Sequence, residues 1–191
     1  MTDVELAIRG GTVIDGTGAP GRRADVGIRD GRVVVVDGDV RGEDEIDATG
    51  RLVTPGFIDI HTHYDAQVLW DPTLSPSSWQ GVTTVVMGNC GFTLAPVRPE
   101  GRDLLLRTLE KVEDMRLATM EAGITWDFAS YGEYLDAIER RRPAINVGGY
   151  VGHTAVRVHV MGADAAERAA TADETARMVA VVRASLREGA L

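Results

Sequence analysis

Thr54-Pro55-Gly56-Phe57-Ile58-Asp59-Ile60-His61-Thr62-His63-Tyr64-Asp65 is the stretch whose reading decides the fold. Phe57, Ile58 and Ile60 are β-formers bounded by Pro55-Gly56, so they predict a short buried strand. His61 and His63 then sit at its C-terminal end, and their i, i+2 spacing sends both imidazoles to one face of an extended chain. Two neutral imidazoles converging on one point suit a divalent metal such as zinc, which takes histidine nitrogen at roughly 2.0–2.1 Å. The plainer reading is a chance pair on a half-exposed strand end. With four histidines in the chain and two in this arrangement, the metal reading is preferred.

Further strands follow at intervals. Val82-Thr83-Thr84-Val85-Val86-Met87 is β-branched almost throughout and runs into Gly88-Asn89-Cys90-Gly91, while Ile145-Asn146-Val147-Gly148-Gly149-Tyr150-Val151 leads to Gly152-His153. Between them Leu104, Leu105, Thr108, Leu109, Val112 and Met115 keep the spacing of an amphipathic helix, with Glu113 and Asp114 on its solvated side. Ser130-x-x-Glu133 and Thr171-x-x-Glu174 are capping boxes that open two more helices. Arg140-Arg141-Arg142 suits the negative end of the first of these, Pro143 stops it, and Gly189 closes the last. Strand-then-helix repeats predict parallel pairing with chemistry gathered at the strands' C-terminal ends.

Residues 1–54 read differently. Leu6-Ala7-Ile8 and Thr12-Val13-Ile14 flank Gly10-Gly11, and Val26-Gly27-Ile28 and Val33 to Val36 flank Arg29-Asp30-Gly31, which predicts a β meander with glycine turns. So short a unit is marginal alone and calls for strands from elsewhere. The 191 residues carry a net charge of −9, which argues against nucleic acid or an acidic membrane surface and for a small-molecule ligand. The single cysteine, Cys90, forbids an intramolecular disulfide; with no export-like N-terminus and no apolar run of membrane length, a cytoplasmic protein is expected.

Cys90 lies past the second strand as the histidines lie past the first, and parallel neighbours run roughly 4.8 Å apart, so all three side chains can reach one ion. A thiolate with two imidazoles is a good zinc donor set, and Gly88 and Gly91 permit the sharp turn that aims the sulfur inward. Taken alone, a free cysteine is more often a small buried hydrophobe. These residues, with Gly11-Thr12-Val13-Ile14-Asp15-Gly16-Thr17-Gly18, Tyr64-Asp65-Ala66-Gln67 and Gly152-His153-Thr154, closely resemble the N-acyl-D-amino-acid deacylase (D-aminoacylase) branch of the amidohydrolase superfamily. The Gly-Asn-Cys-Gly motif is the most specific part.

The resemblance implies an α/β fold: a partial (β/α) TIM-type barrel of about three βα units over residues 55–191, preceded over residues 1–54 by part of a small β-sandwich. It implies one or two zinc ions held by His61, His63 and Cys90, and hydrolysis of the amide of an N-acyl-D-amino acid. It places the general base, two further metal histidines and the groups that hold the substrate carboxylate beyond Leu191. His153, just past the third strand, is a candidate substrate-binding residue, with Arg157 beside it, and Asp65 is expected to be structural or to support the histidines. A barrel needs eight strands and about 250 residues, so this chain by itself is expected to be inactive, and its partner is the missing C-terminal half or another copy. The alternatives are a non-catalytic remnant of the family and a cyclic-amide hydrolase of the dihydropyrimidinase type.

Overall fold

The computed structural model describes residues 2–191, which separate into two compact units, Met1–Gly56 and Phe57–Leu191.

In the first unit, β1 (Thr2–Val13) is the central strand. It pairs antiparallel with β2 (Arg22–Arg29), which pairs antiparallel with β3 (Arg32–Val36) through a turn where Asp30 and Gly31 both take positive φ. On its other side β1 pairs parallel with β4 (Val40–Asp47) and, further along, with β5 (Leu52–Val53). The unit is therefore not a simple meander, because two parallel neighbours join through longer excursions. Gly10-Gly11 is not a turn either. It interrupts β1 as a bulge, where Gly10 at φ 70° gives its N–H to the Asp25 carboxylate at 2.8 Å and the register with β2 shifts. Small apolar clusters, Val4, Ala7 and Val40 in one and Val13, Ala24 and Val26 in another, hold the sheet together. The expected β-sandwich appears as one sheet among the described residues. Val33, Ile46 and Leu52 of this sheet are 60, 49 and 66 % exposed.

The second unit is built on three parallel strands in the order β6 (Phe57–Thr62), β7 (Val82–Met87), β8 (Asn146–Gly149). Among the described residues the sheet is open and no barrel closes, and the fold is a mixed α/β one. β7 sits between the other two, and its Val85, Val86 and Met87 are buried. β6 is an edge strand, which corrects the expectation of a buried one: Phe57, Ile58 and Ile60 are 62, 62 and 63 % exposed. Their apolar character calls for neighbours on both faces, and none covers them here.

The β6–β7 crossover carries two short 3₁₀ turns, Gln67–Leu69 and Ser78–Gln80, in place of an α-helix. Asp71 organises it, accepting from Gln67, Thr73 and Ser75. Between β7 and β8 come α1 (Arg102–Glu113), α2 (Leu117–Gly123) and α3 (Tyr131–Arg141). α1 buries Leu105, Leu106 and Leu109, while Val112 at 53 % exposure is off the buried face. Ser130 and Glu133 form the capping box of α3, and Arg140 and Arg141 at its end pair with Asp127. After β8 come α4 (His153–Met161) and α5 (Ala172–Arg187), the latter opened by the Thr171–Glu174 capping box. Arg168 grips the same Glu174 through both guanidinium nitrogens at 2.8 and 2.7 Å, holding its carboxyl far below the usual range. Leu94, Leu105, Leu109, Tyr131, Tyr134 and Met87 anchor the core between sheet and helices.

Candidate metal centre

β6 delivers its histidines where the strand ends. The His61 N–H is fixed by the Asp59 carboxylate at 3.1 Å, and Thr62, buried between the two histidines, gives its hydroxyl to the Val86 carbonyl of β7 at 3.1 Å. Anchoring Thr62 toward the core turns its two neighbours the other way. The two imidazole centroids lie 5.5 Å apart at an interplanar angle of 37°.

β7 ends in a tight turn. Gly91 N–H closes back on the Gly88 carbonyl at 2.9 Å, and Gly88 and Gly91 take φ of 83° and 92°. A side chain at Gly88 has no room, since a Cβ there meets Thr93 Cγ2 at 2.7 Å and the Tyr150 carbonyl oxygen at 2.8 Å. Asn89 reaches sideways and donates to the Ile60 carbonyl at 3.1 Å, tying the turn to β6. Cys90 stands at the exposed apex, so it is not a small buried hydrophobe. Its sulfur accepts from the Phe92 N–H at 3.4 Å.

His61, His63 and Cys90 come together, with one donor atom from each lying within 4.8 Å of the others. Ordinary Zn–N and Zn–S lengths in a tetrahedral site put donors roughly 3.3–3.7 Å apart, so donors within 4.8 Å of one another stand at most about an ångström wider than that spacing. In chemistry and spacing the residues fit zinc, with three protein donors and a fourth position left for water or substrate.

His153 is exposed at the first turn of α4, and a Cβ on Gly91 lies 3.8 Å from the His153 Cβ. It therefore borders the Cys90 turn, outside the donor group. The neighbouring Arg157 faces away from the site, donating to the Ala165 carbonyl at 3.2 and 2.7 Å and to that of Arg168 at 2.9 Å. Its role is to hold the turn after α4, and it pairs with no acid. Asp65 is fully buried, with neither carboxyl oxygen hydrogen-bonded. Burial pushes its carboxyl up to about 7, with a further push from Glu113, while Tyr134 donates to its backbone carbonyl at 2.7 Å.

Glu113 is the residue the sequence reading passed over. It is exposed, as a residue on the solvated side of α1, yet its Oε1 lies 3.3 Å from His63 Nδ1, with the two side chains 30 and 18 % exposed. The ring N–H is not aligned along that vector, so the contact is a close polar approach without hydrogen-bond geometry.

An open parallel sheet whose strand ends collect two imidazoles and a thiol is an α/β arrangement with a candidate metal centre on one rim. A profile described as the Amidohydrolase family matches residues 44–191, and the chain belongs to that family. It is 37 % identical over 189 residues to a D-aminoacylase of Alcaligenes xylosoxydans xylosoxydans, covering 98 % of this chain and 36 % of the relative. It is 41 % identical to an N-acyl-D-aspartate deacylase of the same organism, covering 97 % of this chain and 35 % of that one. The crystal structure of an N-acyl-D-glutamate deacylase from Bordetella bronchiseptica, complexed with zinc and a phosphonate inhibitor that mimics the tetrahedral intermediate, matches with a TM-score of 0.77. The identity is 37 %, over 97 % of this chain and 37 % of that one. The chain thus spans little more than a third of the length of these relatives.

Proposed function

We propose that this chain is the N-terminal part of a zinc-dependent hydrolase of linear amides that deacylates N-acyl-D-amino acids. In this reading residues 55–191 are the opening strands of a (β/α) TIM-type barrel, residues 1–54 are part of a small β-sandwich, and the protein works in the cytoplasm, where a lone exposed thiol stays reduced. The observation that carries the proposal is the convergence of His61, His63 and Cys90 from two adjacent strand ends. The relatives' names and the zinc complex of one of them support the substrate class and the metal.

His61, His63 and Cys90 would hold the zinc, which when bound would supply an activated water and a Lewis acid for a carbonyl oxygen. The chain's own residues prepare for this. His61 and His63 offer neutral nitrogen donors on one face, Asn89 and the glycines hold the turn, and the Phe92 N–H steadies the Cys90 sulfur. His153 stands exposed at the N-terminal end of α4 beside the Cys90 turn, so it is assigned to hold a polar group of the substrate. The remaining catalytic groups are assigned to the part of the relatives' length that this chain does not span.

Two measurements test the proposal. The 191-residue chain is titrated with zinc beside a His61→Ala, His63→Ala double variant: the parent binds and the variant does not. A polypeptide of the relatives' length releases D-methionine from N-acetyl-D-methionine, whereas the 191-residue chain alone or with zinc releases none. Release of product only from dihydropyrimidines assigns the cyclic-amide class instead, and absence of turnover at full length assigns a non-catalytic remnant.

A further inference from the structure

The end of α1 breaks a local rule. Glu113 and Asp114 put two acidic side chains at the negative pole of the helix, where cations belong and acids are disfavoured. Asp114 has a geometric reason, since it takes the left-handed conformation that ends the helix (φ 52°), which aspartate tolerates better than most residues. Glu113 has no such reason on its own helix. Its carboxylate instead lies 3.3 Å from His63 Nδ1, a nitrogen that is buried and has no hydrogen bond. A cost accepted locally and matched to an unsatisfied group elsewhere is how a functional constraint shows itself in a sequence.

We infer that Glu113 is a positioning residue for the metal centre: it accepts the Nδ1–H of His63, fixing the tautomer in which Nε2 carries the free lone pair and turning that lone pair toward Cys90 and His61. The inference rests on the proposed role of His63 as a metal ligand. A neutral imidazole has one donor and one acceptor nitrogen, and the partner of one decides the state of the other. A carboxylate behind the ring also strengthens the donor in front of it, and losing such a partner typically weakens metal binding 10–100-fold. Asp65 is the other acid near this ring, two residues on, but it is enclosed in the core and its oxygens meet no nitrogen. That leaves Glu113, held out from the last turn of α1, as the group able to make the bond.

The test uses the 191-residue chain in two arms. In the metal-free protein at a pH where the ring is neutral, the ¹⁵N shifts of His63 give the tautomer. The parent is expected to carry the proton on Nδ1, Glu113→Gln to keep it there through the amide oxygen, and Glu113→Leu to move it to Nε2. In the second arm, cobalt and zinc affinities are expected to fall 10–100-fold in Glu113→Leu and to recover largely in Glu113→Gln, with the cobalt visible spectrum of Glu113→Gln matching the parent. A parent His63 protonated on Nε2 overturns the inference even if Glu113→Leu does not fold, as does a Glu113→Leu protein whose affinity stays within about twofold of the parent. A parent that binds neither metal defeats the metal centre itself, and the tautomer arm still decides whether Glu113 holds His63.

Discussion

The strand that carries the histidines leaves hydrophobic surface unclaimed, and the size of that surface sets a measurable association. Full burial of an isoleucine or phenylalanine side chain yields about 1.5–3 kcal/mol. Phe57, Ile58 and Ile60 are 62, 62 and 63 % exposed, so about 3–5 kcal/mol of burial is unrealised on each chain. β6 also has one unpaired edge, to which a second chain can add a strand. Two chains meeting there recover about 6–10 kcal/mol, against an association cost of about 4–15 kcal/mol. Where the cost lies near its lower end the gain exceeds it by up to about 6 kcal/mol, which is weak self-association with a dissociation constant of about 40 µM at its tightest. Sedimentation velocity from about 5 to 200 µM should show the weight-average coefficient rising with concentration in the parent. An Ile58→Thr, Ile60→Thr protein should need at least about tenfold more chain to reach the same value, since a loss of only 1.4 kcal/mol accounts for that factor. A parent that sediments as a monomer across the range, or a double variant that associates as strongly, would falsify the assignment of this strand as the sticky edge.

Other expectations are narrower. Gly88→Ala forces a Cβ against the Tyr150 carbonyl at a φ of 83°, so it should cost about 2–3 kcal/mol and abolish zinc binding with all three donors intact, read by thermal melting and metal titration. Tyr134→Phe removes a buried hydroxyl that donates to the Asp65 carbonyl at 2.7 Å and should lower stability by about 1–2 kcal/mol in urea unfolding. Burial pushes the Asp71 carboxyl up, but hydrogen bonds from Thr73, Gln67 and Ser75 outweigh it and hold the group at about 2. A depressed carboxyl stabilises the fold above its unfolded pKa of about 3.9, and that contribution disappears as pH falls toward 2. Asp71→Asn should therefore flatten the stability profile between about pH 4 and pH 2, and an unchanged slope there refutes the role given to Asp71.

What the sequence revealed follows the range of each interaction. Ser130 with Glu133 and Thr171 with Glu174 are capping boxes formed within four residues, so both helix starts could be read directly. The turn around Cys90 was legible for the same reason, because two glycines within four positions leave few other conformations. Gly10-Gly11 misled because a glycine of positive φ serves a bulge as well as a turn, and only the pairing of Ile8 with Val26 and of Gly11 with Ala24 tells them apart. The parallel contacts of β1 with β4 and β5 join segments about 40 residues apart and have no local signal. The exposure of Phe57 and Ile60 was invisible because burial depends on neighbours as well as on residue type. His61, His63 and Cys90 could be grouped from their places at strand ends. Glu113 could not, since a glutamate on a helix ordinarily faces water, and the only hint was its position at the wrong pole.

The Asn89–Ile60 clamp and the two glycines determine where position 90 points without using the side chain that occupies it. The apex can therefore be treated as an exchangeable donor on a fixed mount. Cys90→Asp presents a hard oxygen from the same backbone, and the metal preference should move from thiophilic zinc toward manganese or magnesium while the strand pairing stays as it is. The selectivity of the rim then becomes a property that one codon can retune, independent of how the rest of the chain folds.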